Sequence, residues 1–257
     1  MKKFLVLFSL ILMDMGLDAQ KPMLASGVYA WDQLTVKKSE EREARQLLEG
    51  STTDFEYLEI HATTQYKGAK PRPSHAQKDL EELILVTEGS MKFTMNEQES
   101  VLSPGSAILI PPLAMQALQN IGDGSLTYYV LMFRSNKPMD IERSKMSGGH
   151  LFVHGNEVVY KPNTKGARGE YLNRPTAMCE NLELHVTQLN QQGPSHDPHR
   201  HIDTEVVLVT EGTIDVTIDG QVFHGKAGDL FLIKSNEMHG IQNAQNKPCK
   251  YFALRWK

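Results

Sequence analysis

Several common chemistries have no footing in this chain. Its 27 Lys and Arg residues are scattered among 31 Asp and Glu, for a formal charge of −4. No basic stripe with interleaved aromatics occurs, which argues against a nucleic-acid partner. There is no Ser-His-Asp set, no phosphate-binding glycine loop and no recognisable pair of catalytic carboxylates. The apolar run Phe4 to Met13 is too short to span a membrane comfortably. Only two cysteines are present, Cys179 and Cys249, so one disulfide at most can form. No low-complexity tract follows the N-terminal segment.

What remains is ordinary globular composition: 40% hydrophobic and 23% charged residues, enough for a sizeable core without metal or disulfide staples. The length suits two domains after an N-terminal leader. Met1-Lys2-Lys3, the apolar run and the small residue Ala19 before Gln20 predict a secretory signal peptide over residues 1–19. The expected location is therefore periplasmic or secreted. No Cys follows the run to carry a lipid, so no membrane association is expected after signal cleavage.

Histidine is unevenly placed. Seven of the ten lie after Leu151. Four residues stand out in Gly193-x5-His199-x-His201-x3-Glu205-x6-Gly212 and Gly228-x10-His239-x3-Asn243. A strand repeats every two residues, so His199 and His201 share a face, and Glu205 keeps that parity. His239 comes from a separate strand and can close the site. Three imidazoles and one carboxylate, His199, His201, Glu205 and His239, suit one divalent transition metal such as Mn, Fe, Zn, Ni or Cu. His196 is read as a rim residue or an exposed loop histidine, and His224 as solvated in a hairpin.

These stretches resemble the paired motifs of the cupin superfamily, G-x5-H-x-H-x3-E-x6-G and G-x5-P-x-G-x2-H-x3-N. The first matches at every defined position. The second departs at Lys234, in place of Pro, and at Asn236, in place of Gly. Asn tolerates the left-handed backbone that the turn needs. The resemblance implies an all-β fold of small antiparallel β-barrels (the double-stranded β-helix, jelly-roll-like cupin barrel) with a metal site. It also implies a small-molecule ligand as partner, with a homodimer left open.

The pattern occurs twice. Leu83 to Gly89 mirrors Val206 to Gly212, and Gly105 mirrors Gly228, at an offset of 123 residues. Tyr57 to Thr63 resembles Asn181 to Thr187, and Tyr128 to Arg134 resembles Tyr251 to Lys257. The chain reads as an internal duplication, the arrangement called a bicupin. The expected plan is an N-terminal barrel over 28–134, a linker over 135–149 and a C-terminal barrel over 150–257. Cys179 and Cys249 could pair in an exported protein. Their counterparts Phe55 and Leu126, however, mark ordinary packing positions.

The first copy has lost its ligands. Glu82 survives, and Gln116 stands in the position of His239. A strict offset places Ala76 and Lys78 at the two histidine positions, whereas a motif one residue longer places His75 and Gln77 there. Neutral amide oxygen is a weak ligand for late first-row metals. A structural or substrate-shaping role is therefore expected for this barrel. His61 and His185 occupy equivalent positions in both copies, which argues for a shared structural role over ligation.

Strands are expected throughout, with Asp219-Gly220 as a strong hairpin turn. Val28 to Leu34 is read as a strand or arm leading into the first barrel. Ser39 to Leu48 is read as a helix, with Ser39 as cap and Glu40, Glu41 and Glu43 in its first turn. Parity places Val207, Val209 and Ile241 inside the second barrel. On the last strand it favours Phe252 and Leu254 over Tyr251, Ala253 and Arg255. The expected cavity is an apolar cup with a metal at its base. Three functions fit: a metal-dependent enzyme on a small polar substrate (sugar acid or carboxylate), an oxygen-dependent dioxygenase of aromatic substrates, or a non-catalytic small-molecule binding protein. Among enzymes the resemblance allows an isomerase, lyase, decarboxylase or dioxygenase.

Overall fold

A computed structural model describes residues 21–257. The expected signal peptide, 1–19, lies outside the described residues. The described chain is dominated by strands, with one α-helix, Ile141–Met146, and one 3-10 turn, Trp31–Gln33. The alternating burial of segments such as Thr213–Ile218 shows one face in the core and the other toward solvent.

Four sheets form among the described residues. In the second half, strands Thr204–Glu211, Cys249–Trp256, Leu182–Leu189 and Gly166–Arg174 make the centre of a seven-stranded sheet. A smaller sheet carries Thr213–Ile218, Gln221–Lys226 and His239–Asn243. The first half repeats this plan with Glu81–Glu88, Leu126–Ser135, Phe55–Gln65 and Arg42–Gly50 in the large sheet. Its small sheet carries Met91–Met95, Gln98–Leu102 and Gln116–Asn120. Each half is thus a jelly-roll-like pair of open sheets instead of a fully closed barrel.

Sheet membership crosses the expected boundary between the halves. Gly27–Tyr29 does not lead into the first half. It pairs with Leu230–Ile233 of the second, Gly27 opposite Leu232. Leu151–Val153 in turn pairs with Ala107–Ile110 of the first. Each half therefore lends a strand to the edge of the other's large sheet. The connection expected over 135–149 holds the short helix, whose first turn is capped by Asp140: the Arg143 amide donates to its carboxylate at 2.8 Å.

The two large sheets pack face to face. Leu58, Ile60, Leu131 and Phe133 from one side share a core with Leu184, Val206, Leu254 and Trp256 from the other. Phe55 stacks on both Phe133 and Trp256, with ring centroids 4.9 Å apart in each case. Burial of each such ring contributes about 1.5–3 kcal/mol. Glu81, fully buried at this junction, accepts from the Thr176 hydroxyl at 2.6 Å and the Met178 amide at 3.0 Å. Separate cores fill the space between large and small sheets in each half. Cys179 and Cys249 are both free and buried, one in the shared core and the other in the second half's own core.

One expected element is wrong in kind. Ser39 to Leu48 is not a helix; Arg42–Gly50 is a strand paired with Phe55–Gln65. The local signals serve a hairpin instead. The Arg42 amide donates to the Ser39 hydroxyl at 3.2 Å, closing the turn from Val36–Lys38. Glu43 meets Lys38 and Arg45 across and along the strands, at 2.9 and 3.0 Å. Leu47 and Leu48 enter the shared core, and that burial outweighs helix propensity.

Candidate metal centre

His199, His201, Glu205 and His239 converge in the second half. Glu205 stands on the large-sheet strand Thr204–Glu211 and His239 opens the small-sheet strand His239–Asn243. His199 and His201 lie on the loop that runs from the short strand Gly193–Pro194 into Thr204–Glu211. The His199 and His239 backbones exchange amides, at 2.9 and 2.8 Å, which pins the loop to the small sheet. The Asn236 amide donates to the His201 carbonyl at 2.7 Å. Asn236 adopts the left-handed conformation, φ 65°, that its place in the turn requires.

One ligating atom from each histidine lies within 4.8 Å of the others. The Nε2 atoms of His201 and His239 lie 3.2 and 3.4 Å from Glu205 Oε2. The opposite ring nitrogens are fixed: His201 Nδ1 lies 2.9 Å from the Asp203 carbonyl, and His239 Nδ1 lies 2.9 Å from the Glu237 carbonyl. A ring that donates from Nδ1 keeps the Nε2 lone pair for a metal. His239 Nε2 is buried and makes no hydrogen bond. A buried, unpartnered imidazole nitrogen beside a carboxylate fits a cation between them, so the donor set suits a transition metal.

The electrostatics of Glu205 and His199 agree; burial works to lower the His239 imidazole too, but Glu205 and the Glu237 carbonyl raise it. Burial works to raise the Glu205 carboxyl, yet the imidazoles of His201 and His239 hold it below the usual carboxylate range. Burial and the neighbouring imidazoles of His196 and His239 lower His199, which favours the neutral form that ligation needs. His196 stands half-buried, its ring 4.5 Å from that of His199, at the rim. His224 is exposed and pairs with Asp215 at 2.7 Å.

The wall of the site differs from the apolar cup expected. Glu205 stands opposite Arg255, and Arg255 opposite Glu183 on the next strand. Val207 and Val209 pack with Tyr251 and Ala253 in the second half's own core, whereas Phe252 and Leu254 belong to the core between the halves. The last strand therefore turns Tyr251, Ala253 and Arg255 inward, the reverse of the expected parity. Both faces of that strand are buried, so apolarity alone could not choose between them. Glu183 accepts from Arg255 and, at 2.7 Å, from Arg168, and it lies 3.1 Å from His185. His185 and then Arg255 lower the Glu183 carboxyl to about 2, against the opposing effect of burial. The signal for this cluster was present as the charges at 183 and 255 on strands that are mostly buried.

The first half shows the same frame with other residues. His75 and Gln116 exchange backbone amides as His199 and His239 do, at 3.0 and 2.7 Å. Leu113 donates to the Gln77 carbonyl as Asn236 does to His201. His75 and Gln77, not Ala76 and Lys78, are thus the structural counterparts of His199 and His201. Met132 stands opposite Glu82 where Arg255 stands opposite Glu205. His61 lies 3.1 Å from Glu59, as His185 does from Glu183, and it faces a cavity of about 260 Å³.

Residues 62–132 and again 185–255 match the family model described as the cupin domain. No curated protein matches the chain at a significant level. Solved structures share its architecture. The Ylba protein of E. coli is 12% identical, with a TM-score of 0.71 over 94% of this chain and 95% of its own. An oxalate decarboxylase of Lactobacillus farciminis, solved as a formate complex, is 13% identical, with a TM-score of 0.71 over 91% and 87% of the two chains. The 7S globulin of Momordica charantia is 13% identical, with a TM-score of 0.64 over 90% and 84%. At such identities the likeness establishes the fold and leaves function to the site.

Proposed function

The chain belongs to the cupin family, with two copies of the domain in tandem, and on that premise we propose that it is an exported metal-binding bicupin, a metal-dependent enzyme acting on a small sugar acid or carboxylate. The metal is held by His199, His201, Glu205 and His239. The observation that carries this reading is the cluster of three histidines beside the Glu205 carboxylate, in which the buried His239 Nε2 makes no hydrogen bond. The basic and apolar start of the chain supports export to the periplasm or beyond. Among proteins of this fold, an oxalate decarboxylase offers a precedent for a small carboxylic acid as substrate.

A bound divalent ion supplies Lewis-acid polarisation of a substrate oxygen and lowers the pKa of a bound water. The chain's own residues prepare the ground. The Asp203 and Glu237 carbonyls orient His201 and His239. Glu183 and Arg255 place a fixed ion pair beside Glu205, and Tyr251, whose hydroxyl donates to Ser195 Oγ at 3.1 Å, closes the wall. The test is elemental analysis of the purified protein and of its His199→Ala/His201→Ala form. Loss of the ion with retention of the fold is expected, and unchanged metal content would overturn the assignment. Iron or copper with oxygen uptake would move the reading to a dioxygenase.

A further inference from the structure

The first half keeps a site that nothing in the metal reading uses. Its cavity of about 260 Å³ lies between the two sheets, in the place corresponding to the metal centre of the second half. That is below the roughly 300–1,000 Å³ of pockets for drug-sized ligands, so a molecule of monosaccharide size is the scale it admits. Glu82 and Gln116 line it, and both are nearly inaccessible to solvent, at 4% and 3% exposure. Neither is satisfied: Glu82 Oε1 and Gln116 Nε2 are buried and have no hydrogen-bond partner.

A buried donor or acceptor left unpaired is destabilising, so each calls for a partner. The second half answers the same need differently. There the carboxylate Glu205 faces Arg255 and two imidazoles. In the first half Arg255 is replaced by Met132, and His239 by the neutral amide of Gln116. A carboxylate acceptor and an amide donor in one cavity match a single group that both donates and accepts, and a hydroxyl is that group. His75 and Gln77 also line the cavity, so one imidazole and two neutral amides stand where the metal centre has three imidazoles, a weak donor set for a transition metal. Ile84 and Val130 give the wall an apolar surface suited to C–H groups. Arg72 stands exposed at the mouth and forms no ion pair among the described residues. A guanidinium so placed suits a carboxylate.

We propose that the cavity of the first half is a metal-independent binding site for a small hydroxylated carboxylic acid. A hydroxyl of the ligand bridges Glu82 and Gln116, and its acid group meets Arg72 at the mouth. The site is separate from the metal centre, and its occupancy does not depend on the metal reading.

The test is calorimetric titration of the full chain in the His199→Ala/His201→Ala background, where a metal in the second half cannot chelate the probe. D-gluconate is the probe, with sorbitol lacking the acid and hexanoate lacking the hydroxyls. One equivalent of gluconate per chain is expected. Gln116→Leu and the isosteric Glu82→Gln should each weaken it about tenfold or more, the effect of losing one charged or buried hydrogen bond. Arg72→Ala should weaken gluconate and leave sorbitol unchanged. Methyl NMR gives a readout free of pocket variants: gluconate should shift the Met132 methyl signal. Absence of gluconate binding at millimolar concentration, equal binding of hexanoate, or a Met132 signal that does not move would overturn the proposal. So would uptake of a divalent ion that Glu82→Gln abolishes, which would make the cavity a metal site.

Discussion

Arg255 and Glu183 show what a single residue can and cannot announce. In sequence they are two separate charges 72 residues apart; in the fold they stand in line with Glu205 across three adjacent strands. The three histidines and Glu205 stood out because a recurring motif spacing survives in one dimension, although His199 and His201 stand on a loop and do not share a strand face. The ion pair behind them was not, because its alignment depends on strand register. It has a measurable consequence. The folded Glu183 carboxyl titrates at about 2 against an ordinary 4.5. A depressed carboxyl contributes stability above the higher value, and that contribution is lost as pH falls from about 4.5 towards about 2. Urea midpoints of the metal-free protein should therefore fall through that interval, and should fall less in Glu183→Gln. Equal slopes would remove Glu183 from the account. At the metal centre, Glu205→Gln keeps the shape and removes the charge that a cation favours. It should lower metal content more than Gln116→Ala does, as read by elemental analysis, and equal effects would count against the ligand set.

At the scale of elements, turns were read more securely than the segments beside them. Asp219 and Gly220 both take positive φ, 46° and 86°, as a two-residue hairpin of this kind requires. Ser39 to Leu48 departs from the expected helix because its acids suit a helix start and a charged hairpin equally, and only pairing with Phe55–Gln65 decides. The duplicated turn before the last ligand position carries a testable difference. Asn236 in the second half and Leu113 in the first both adopt left-handed backbone, φ 65° and 69°. Leucine in that region costs about 1–2 kcal/mol, and Asn costs less. Leu113 is 60% exposed, so its side chain holds little of the core. Leu113→Asn should stabilise the protein by about 1 kcal/mol, seen as a rise in Tm. A fall in Tm would mean that the side chain contributes packing the exposure does not reveal.

The whole molecule is two repeats that do not close separately. The duplication was legible from the 123-residue offset, but the exchange of edge strands was not, since nothing in Val28 or Leu151 names a partner in the other half. Because Gly27–Tyr29 completes the second half's sheet and Leu151–Val153 the first's, cutting at the midpoint leaves each part with an edge missing and a strand stranded. The fragment 151–257 would also bare the face carrying Leu184, Val206, Leu254 and Trp256. It should be poorly soluble or self-associate in light scattering, and a soluble monomer would show that the shared core is dispensable. The same asymmetry between repeats underlies the central claim, that one half holds a metal and the other does not. Metal-to-protein stoichiometry of the intact chain tests it most directly. The account predicts close to one tightly held ion per chain, absent from His199→Ala/His201→Ala; two ions per chain, or one that survives that change, would contradict it.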